Sequence, residues 1–283
     1  MIMKNTQELQ DIATQIRRDV LRMINSCQSG HPGGSLGCAD LFTALYFNTM
    51  NITPETFTRE GKGEDMFFLS IGHIAPVWYS TLARRGYFDI KELATLRQLG
   101  SRLQGHPSYH SQLPGVRAAS GSLGQGMSVA IGAALAKKLN GDNNLVFSLH
   151  GDGEVEEGQI WEAAMFAGAN GVDNLISIID NNGVQIDGRC KDVCGVVNLK
   201  QKFLSFGWDV LECDGNDMQV LLNTLEECKK HTRNGKPVML VMKTKMGKGV
   251  DFMEDNNGWH GKAPNDEQTQ NALSQLIETL GDY

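Results

Sequence analysis

The sequence predicts an α/β fold in which a mostly parallel sheet is flanked by helices, and residues 1–283 are expected to form a single domain. Five short apolar runs have the length of strands, at Met66–Ser70, Leu145–His150, Leu175–Asp180, Trp208–Cys213 and Val238–Lys243. Most of these runs are separated by helix-like segments, which is typical of parallel strands joined by helices. With 283 residues, 41% of them hydrophobic, the chain can bury one large core.

Helices are predicted at both ends of the chain. The first spans residues 6–28, because Asn5 and Glu8 match a capping box and apolar residues follow at steps of three and four. These apolar positions are Leu9, Ile12, Ile16, Val20, Met23 and Cys27. The helix delivers the sequence Ser29-Gly30-His31 at its carboxyl end. The last periodic segment predicts a closing helix over about residues 268–280.

Composition argues against nucleic acid and membranes as partners. The net charge is −7, from 33 acidic and 26 basic residues, so the chain has no overall positive field to attract polyanions. No apolar run is long enough for a membrane span, and the start of the chain lacks the pattern of a signal peptide. We therefore expect a cytoplasmic protein, with its six cysteines reduced.

Two polar motifs follow neighbouring strands of the predicted sheet. Gly151-Asp152-Gly153 comes directly after one strand, and Asn181-Asn182-Gly183-Val184 comes directly after the next. A lone Gly-Asp-Gly is often only a turn. Here, however, a helix between two parallel strands would bring both motifs to the same edge of the sheet. A carboxylate, an amide oxygen and a loop carbonyl are suited to Mg²⁺ that also binds a diphosphate.

This arrangement resembles the fingerprint of enzymes that use thiamine diphosphate. The resemblance implies that Asp152, Asn182 and the carbonyl of Val184 bind Mg²⁺, or another divalent cation such as Ca²⁺ or Mn²⁺. It further implies cofactor contacts from eight residues in all, namely His73, Gly121, Leu123, Gly151, Asp152, Gly153, Asn182 and His260. Of these, Gly121 and Leu123 would hold the edge of the aminopyrimidine ring.

Five further motifs occur in the order found in transketolases. They begin at Ser29-Gly30-His31-Pro32, Leu69-Ser70-Ile71-Gly72-His73, Gly105-His106-Pro107, Gly121-Ser122-Leu123-Gly124 and Trp259-His260-Gly261-Lys262. The resemblance spans residues 29–264 and stops where a full-length transketolase would continue into its pyrimidine-binding domain. The chain therefore resembles the N-terminal subunit of a transketolase that is split into two polypeptides.

The resemblance also implies which side chains act on the substrate. His31, His73, His106 and His260 would surround the thiazolium ring and the first two carbons of the donor, where imidazoles can donate hydrogen bonds or move protons. Glu157 and Glu162 would extend a proton network towards a second subunit. His150 is assigned no role, because this position is usually apolar in the family. A solvated helix face is the alternative for Glu154 and Glu156.

The implied reaction transfers a two-carbon ketol unit from a ketose phosphate to an aldose. In the family, the glutamate that activates the aminopyrimidine comes from the pyrimidine-binding domain, and residues 29–264 are already occupied by other motifs. A C-terminal partner subunit is thus expected to supply this glutamate. We expect a heterotetramer with that partner, or a chain that self-associates as a dimer.

Three alternatives remain open from the sequence. A deoxyxylulose-phosphate synthase-like enzyme shares the Gly-Asp-Gly and early histidine motifs, although the sequences around His31 and His260 favour transketolase. The alpha subunit of a pyruvate dehydrogenase-type enzyme would lack the His31 and His106 motifs. A non-catalytic cofactor-binding or regulatory subunit is disfavoured by the intact motifs. The sequence does not single out the donor or the acceptor.

Overall fold

A five-stranded parallel sheet forms the centre of the computed structural model, which describes residues 4–283. Its strands, in the order β1-β2-β3-β7-β6, are β1 (Met66–Leu69), β2 (Val146–Gly151), β3 (Leu175–Asn181), β7 (Val238–Lys243) and β6 (Asp209–Asp214). Every neighbouring pair in this sheet is parallel. The predicted fold class is confirmed, and each strand lies within one residue of its predicted position.

Helices cover both faces of this sheet. They are α1 (Thr6–Cys27), α2 (Pro32–Gly37), α3 (Ala39–Ala44), α4 (Ala75–Arg85), α5 (Gln125–Leu139), α6 (Gly158–Ala169), α7 (Cys190–Val193), α8 (Leu199–Ser205), α9 (Met218–Lys230) and α10 (Asp266–Ser274). Short 3₁₀ turns follow β1 at Gly72–Ile74 and β2 at Glu154–Glu156, and another lies at Asn257–Trp259. A small antiparallel hairpin joins β4 (Val184–Gln185) to β5 (Gly188–Arg189). Within residues 4–283, no helix is both long and apolar enough to cross a bilayer.

Alternate residues of the central strands enter two different hydrophobic clusters. In β3, Ile176 and Ile178 belong to the cluster that includes α1, α4 and α9, whereas Leu175 and Ile179 belong to the one that includes α5, α6 and α8. A strand that is covered on both faces reads as a continuous apolar run rather than as an alternating one. This is why the apolar runs located β1, β2, β3 and β7 so closely, whereas β6, at the edge of the sheet, is only partly buried.

The first helix begins as predicted and holds two buried ion pairs. The Asn5 side chain accepts from the backbone N–H of Glu8, and the Glu8 carboxylate accepts from the N–H of Asn5, which completes the capping box. Further along α1, Arg17 pairs with Asp40 on α3 at 2.6 Å and Asp19 pairs with Arg84 on α4 at 2.5 Å. These pairs link α1 to α3 and α4.

The closing helix differs from the prediction at both ends. It starts at Asp266, because Asn265 and Gln268 form a second capping box, and it ends at Ser274 rather than at residue 280. The Arg18 guanidinium donates to the carbonyl of Leu273, in the last turn of this helix, at 2.9 Å and to that of Leu276, just beyond it, at 2.6 Å. These bonds from α1 occupy carbonyls that a longer helix would use itself, so tertiary contacts override the local periodicity.

Two glycines inside helices offer a matched test of this packing. A Cβ on Gly168 of α6 would lie 1.8 Å from the carbonyl oxygen of Phe206, whereas a Cβ on Gly132 of α5 would meet nothing within 4 Å. We expect Gly168→Ala to lower the free energy of unfolding by about 2 kcal/mol, because the backbone must move to relieve the overlap. Gly132→Ala should raise it by about 0.5–1 kcal/mol through helix propensity. Urea denaturation of both variants measures this, and equal effects would contradict the packing described.

Candidate cofactor-binding and active site

The two polar motifs meet at the carboxyl edge of the sheet. In the β2–β3 register Gly151 lies opposite Asp180, so the residues that follow each strand emerge side by side. Asp152 is buried, and its two oxygens accept from the backbone N–H groups of Gly153 at 2.9 Å and Gly183 at 2.5 Å. The structure therefore brings together the two loops that the sequence placed at one edge.

The side-chain amide of Asn182 is held in one orientation. Its Nδ2 donates to the Asp180 carboxylate at 2.9 Å, and its Oδ1 accepts from the N–H of Val184 at 2.9 Å. Asp180 is itself buried and also accepts from the Thr244 hydroxyl. Because a carboxylate only accepts hydrogen bonds, Asp180 directs the amide nitrogen of Asn182 towards itself and leaves the oxygen on the opposite side.

A cavity of about 420 Å³ opens at this edge. Acidic side chains line it, namely Asp152, Glu154, Glu156, Glu157 and Asp180, and the described residues of its lining include no lysine or arginine. Burial, together with the nearby Asp180 carboxylate, raises the pKa of Asp152 to about 7. Such a pocket could hold an anionic diphosphate only with a cation between the two, so its oxygen donors and its excess negative charge fit a divalent metal ion.

Apart from Asp152, the ligands of a metal ion at this site would be amide, carbonyl and diphosphate oxygens. Among residues 4–283, no group of three or more His, Cys, Asp or Glu side chains is arranged to hold a metal ion. A site built from Asp152, an amide oxygen, a backbone carbonyl and the oxygens of a bound diphosphate is compatible with that result. The donor set is the hard-oxygen type that Mg²⁺ prefers.

Three of the four predicted histidines form a compact cluster. The ring centroids of His31 and His73 are 5.0 Å apart, those of His31 and His260 are 5.6 Å apart, and those of His73 and His260 are 5.3 Å apart. His31 lies just before α2, His73 in the 3₁₀ turn after β1, and His260 just after the 3₁₀ turn Asn257–Trp259. Three segments that are distant in sequence thus converge beside the acidic cavity.

The clustered imidazoles are held in the neutral form. Burial lowers the pKa of His31 to about 4 and that of His73 to about 3, and in both cases neighbouring imidazoles lower it further. Burial also lowers the pKa of His260. At neutral pH each ring therefore has one nitrogen that donates and one that accepts a hydrogen bond. This form is suited to contacts with hydroxyl groups and to proton transfer.

The cavity joins some of the predicted residues directly and leaves others at its margin. Those that line it are His73, Leu123, Gly151, Asp152, Gly153, Glu157, Asn182, Val184 and His260. His31 reaches this group through the histidine cluster. His106 and Gly121 lie next to each other, since a Cβ on Gly121 would be 2.5 Å from the His106 ring. Glu162 lies on the exposed side of α6, away from the lining.

The solvated helix face, which the sequence left as the alternative for Glu154, is wrong for this residue. Glu154 is buried, and its carboxylate accepts from the N–H of Gly124 at 2.7 Å, from the N–H of Gly151 at 3.0 Å and from the Ser70 hydroxyl. The 3₁₀ turn Glu154–Glu156 returns the side chain towards β1. The alternation of charged and apolar residues around it carries no signal of this burial. Glu156 is partly buried and accepts from Gln185 at 3.0 Å.

His150 is also buried, within a small polar chain in the sheet. Its Nε2 lies 2.9 Å from the Ser148 hydroxyl, which in turn lies 2.9 Å from the Ser177 hydroxyl. Its Nδ1 lies 3.6 Å from Glu154. One of these neighbours, Glu154, lines the cavity, whereas His150 itself is not among the lining residues.

Comparison with known proteins places this site in a family. The family described as "Transketolase, thiamine diphosphate binding domain" matches residues 9–277. The chain is 36% identical over 275 residues to an apulose-4-phosphate transketolase subunit from Phocaeicola vulgatus, covering 97% of this chain and 95% of that protein. It is 38% identical over 270 residues to the 6-deoxy-6-sulfo-D-fructose transketolase subunit SqwG of a Clostridium species, covering 95% and 96%.

Solved structures show the same relationship. The transketolase of Campylobacter jejuni superposes with a TM-score of 0.87 at 32% identity, covering 96% of this chain and 43% of that one. The transketolase of Leishmania mexicana superposes with a TM-score of 0.88 at 29% identity, covering 97% and 41%. The chain thus spans less than half the length of these solved transketolases, but nearly the whole length of the two relatives that are themselves named as transketolase subunits. It belongs to the transketolase family and corresponds to the thiamine diphosphate-binding domain at its N-terminal end.

Proposed function

We propose that this chain is the N-terminal subunit of a thiamine diphosphate-dependent transketolase, which transfers a two-carbon ketol unit from a ketose to an aldose together with a C-terminal partner subunit. The observation that carries this proposal is a cavity in which an acidic, oxygen-rich strand edge meets a cluster of neutral histidines. The edge is suited to a metal-bound diphosphate, and the cluster to a polyhydroxylated substrate. The family membership supports both assignments.

The proposed cofactor contacts divide between two ends of the site. Asp152, the Asn182 amide oxygen and the Val184 carbonyl would bind Mg²⁺ or another divalent cation, while Gly151 and Gly153 let the backbone approach the diphosphate. Gly121, Leu123 and the two cavity histidines, His73 and His260, would contact the rest of the cofactor. Thiamine diphosphate supplies the electron sink for cleavage of a carbon–carbon bond.

The histidines act on the substrate in this proposal. His31, His73, His106 and His260 donate hydrogen bonds to the hydroxyls and carbonyl of the ketose, which orients it and stabilises negative charge as it develops on oxygen. Their depressed pKa values keep them neutral, so a ring can also take a proton from one oxygen and return it to another. Glu157, at the start of α6 and in the cavity lining, begins a proton network that Glu162 extends outward.

The donor class follows from the relatives. Those named above are called transketolases of apulose 4-phosphate and of 6-deoxy-6-sulfo-D-fructose, so their ketoses carry a phosphate or a sulfonate. We propose that this chain handles a ketose with such an anionic tail, most simply a ketose phosphate. The part of the cavity that this chain supplies is acidic, so the cation that grips the tail is expected outside the cavity lining described above.

An exposed apolar face supports the need for a partner. Leu123, Val129, Met165 and Phe166 are exposed by 38, 43, 55 and 48%, and three of them lie on α5 or α6. Apolar side chains grouped on adjacent helices usually mark a protein–protein interface. We propose that the partner carries the pyrimidine-binding domain, supplies the glutamate that activates the aminopyrimidine, and docks on this face to give a heterotetramer.

The first test of the function is reconstitution. We expect the purified chain alone to be folded but inactive in ketol transfer, because half of the cofactor site is missing. The partner would be the polypeptide with a transketolase pyrimidine-binding domain that co-purifies with a tagged form of this chain. Adding this partner should restore transfer, which is assayed with xylulose 5-phosphate and a panel of phosphorylated and sulfonated ketoses. Robust transfer by the chain alone would refute the split-subunit proposal, and a fully assembled but inactive complex would refute the activity.

The metal site has its own test. Asp152→Ala should lower the affinity for thiamine diphosphate in the presence of Mg²⁺ by at least about a hundredfold, since removal of one charged ligand leaves the diphosphate facing acidic side chains. Asp214→Ala is the matched control, because Asp214 also ends a strand of the same sheet but lies exposed on β6. Calorimetry with and without Mg²⁺ measures the effect, and wild-type affinity in Asp152→Ala would contradict the assignment.

The histidine cluster predicts a pH dependence of stability. The folded pKa of His73, about 3, lies below its ordinary value of 6.5, so the unfolded chain binds more protons between those values. The contribution of His73 to stability is therefore constant above pH 6.5 and falls as the pH drops below it. His73→Gln should make the free energy of unfolding less sensitive to acid between pH 7 and 5 than that of the wild type. Urea denaturation at several pH values tests this, with the exposed His110→Gln as control; identical slopes for all three proteins would contradict it.

A further inference from the structure

The start of α5 lacks a capping side chain of its own. Its N-cap residue is Gly124, which has a left-handed φ of 81° and no side chain to accept from the first N–H groups of the helix. Two backbone N–H groups at this helix start, those of Gly124 and Gly126, are instead bonded by side chains from other parts of the fold. The Glu154 carboxylate accepts from the N–H of Gly124 at 2.7 Å, and the Ser70 hydroxyl oxygen accepts from the N–H of Gly126 at 3.1 Å.

Glu154 and Ser70 form one unit. The Ser70 hydroxyl donates to the same carboxylate oxygen of Glu154 that accepts from Gly124, so Glu154 sets the direction of that hydroxyl and leaves its oxygen free for Gly126. The other oxygen of Glu154 accepts from the N–H of Gly151 at 3.0 Å. A single buried carboxylate thus joins the end of β2 to the start of α5, with the end of β1 between them.

The turn that precedes α5 has few other anchors. The N–H of Gly121 donates to the carbonyl of Ser70 at 3.3 Å, and Gln159 donates to the carbonyl of Leu123 at 3.1 Å. Ser122 and Leu123 are exposed. A negative charge at a helix N-terminus is also favourable for α5 itself, because the macrodipole places partial positive charge there. Glu154 is consequently the strongest acceptor that holds this turn.

We propose that Glu154, acting through Ser70, is a positioning residue that sets the separation between the Gly121–Gly126 turn and the diphosphate edge at Gly151. The proposal rests on the function proposed above, in which the turn holds the aminopyrimidine and the edge holds the diphosphate. One rigid connection between them fits the fact that the two ends of the cofactor are covalently joined. If the turn moved, a cofactor bound at the diphosphate edge could no longer reach its contacts at the turn.

The two simplest variants have different expected effects. Glu154→Ala removes all three acceptors, so the turn loses its hold and thiamine diphosphate affinity of the complex should fall about tenfold or more. Inorganic diphosphate occupies only one end of the site, so its affinity should change by less than about threefold. Glu154→Gln can keep its oxygen at the turn, but its amide nitrogen then faces the N–H of Gly151 and cannot accept from it, so its thiamine diphosphate affinity should lie between those of Glu154→Ala and the wild type.

The experiment compares calorimetric titrations of the Mg²⁺-loaded complex with hydrogen exchange of the chain without cofactor. Exchange of the Gly124 and Gly126 amides should be faster in Glu154→Ala than in the wild type. Asp19→Ala is the control for general loss of stability, since it removes a buried carboxylate that is bound to Ser80 and Arg84 on α4 instead. If Glu154→Ala does not fold, Ser70→Ala removes only the hydroxyl and should show the same selective loss.

The outcomes separate this proposal from the one it rests on. If the wild-type complex fails to bind thiamine diphosphate, the proposed function fails and the positioning role fails with it. If the wild type binds but Glu154→Ala and Ser70→Ala bind both ligands as well as the wild type, only the positioning role is overturned. Parallel losses of thiamine diphosphate and inorganic diphosphate, matched by Asp19→Ala, would show a general effect on stability and would overturn it as well.

Discussion

The site depends on the in-register parallel pairing of β2 with β3. Because Gly151 lies opposite Asp180, the Asp152 and Asn182 loops leave the sheet together, and the N–H of Gly183 can bond to Asp152. A shift of one residue in either strand would turn every side chain to the opposite face and separate the two loops. The apolar clusters on both faces fix that register. The packing of the core therefore also sets the positions of the two loops at the site.

Electrostatics divide the site into two regions of different character. The strand edge gathers buried carboxylates and raises the pKa of Asp152, whereas the histidine cluster is kept neutral by burial and mutual repulsion. The first region favours a cation. The second region carries no positive charge that would compete with this cation for the diphosphate. On the proposed function, this arrangement lets the metal and the diphosphate settle at the edge while the uncharged imidazoles remain available to the sugar.

Apolar runs and short motifs were enough to predict the strands and the candidate site. The prediction failed where the burial of a residue or the end of a helix depends on contacts with distant segments. Four of the five strands are almost wholly buried, which is why apolar runs located them within one residue. The resemblance to transketolases placed His31, His73, His106 and His260 around one site, and the rings of His31, His73 and His260 lie together. The burial of Glu154 could not be predicted, since its partners Ser70 and Gly124 lie 84 and 30 residues away. The end of α10 was missed for the same reason, because Arg18 of α1 donates to the carbonyls of Leu273 and Leu276 on either side of it.

One helix connects the inside of the site to the face proposed for the partner. Glu157 precedes the first turn of α6 and lines the cavity, whereas Glu162, Met165 and Phe166 lie on its exposed side. A cofactor that contacts both chains must bind the assembled pair more tightly than it binds either chain. By linkage, it then strengthens their association by the same factor. On the proposed function, assembly and cofactor binding are therefore coupled, and α6 is an element of this chain that would take part in both.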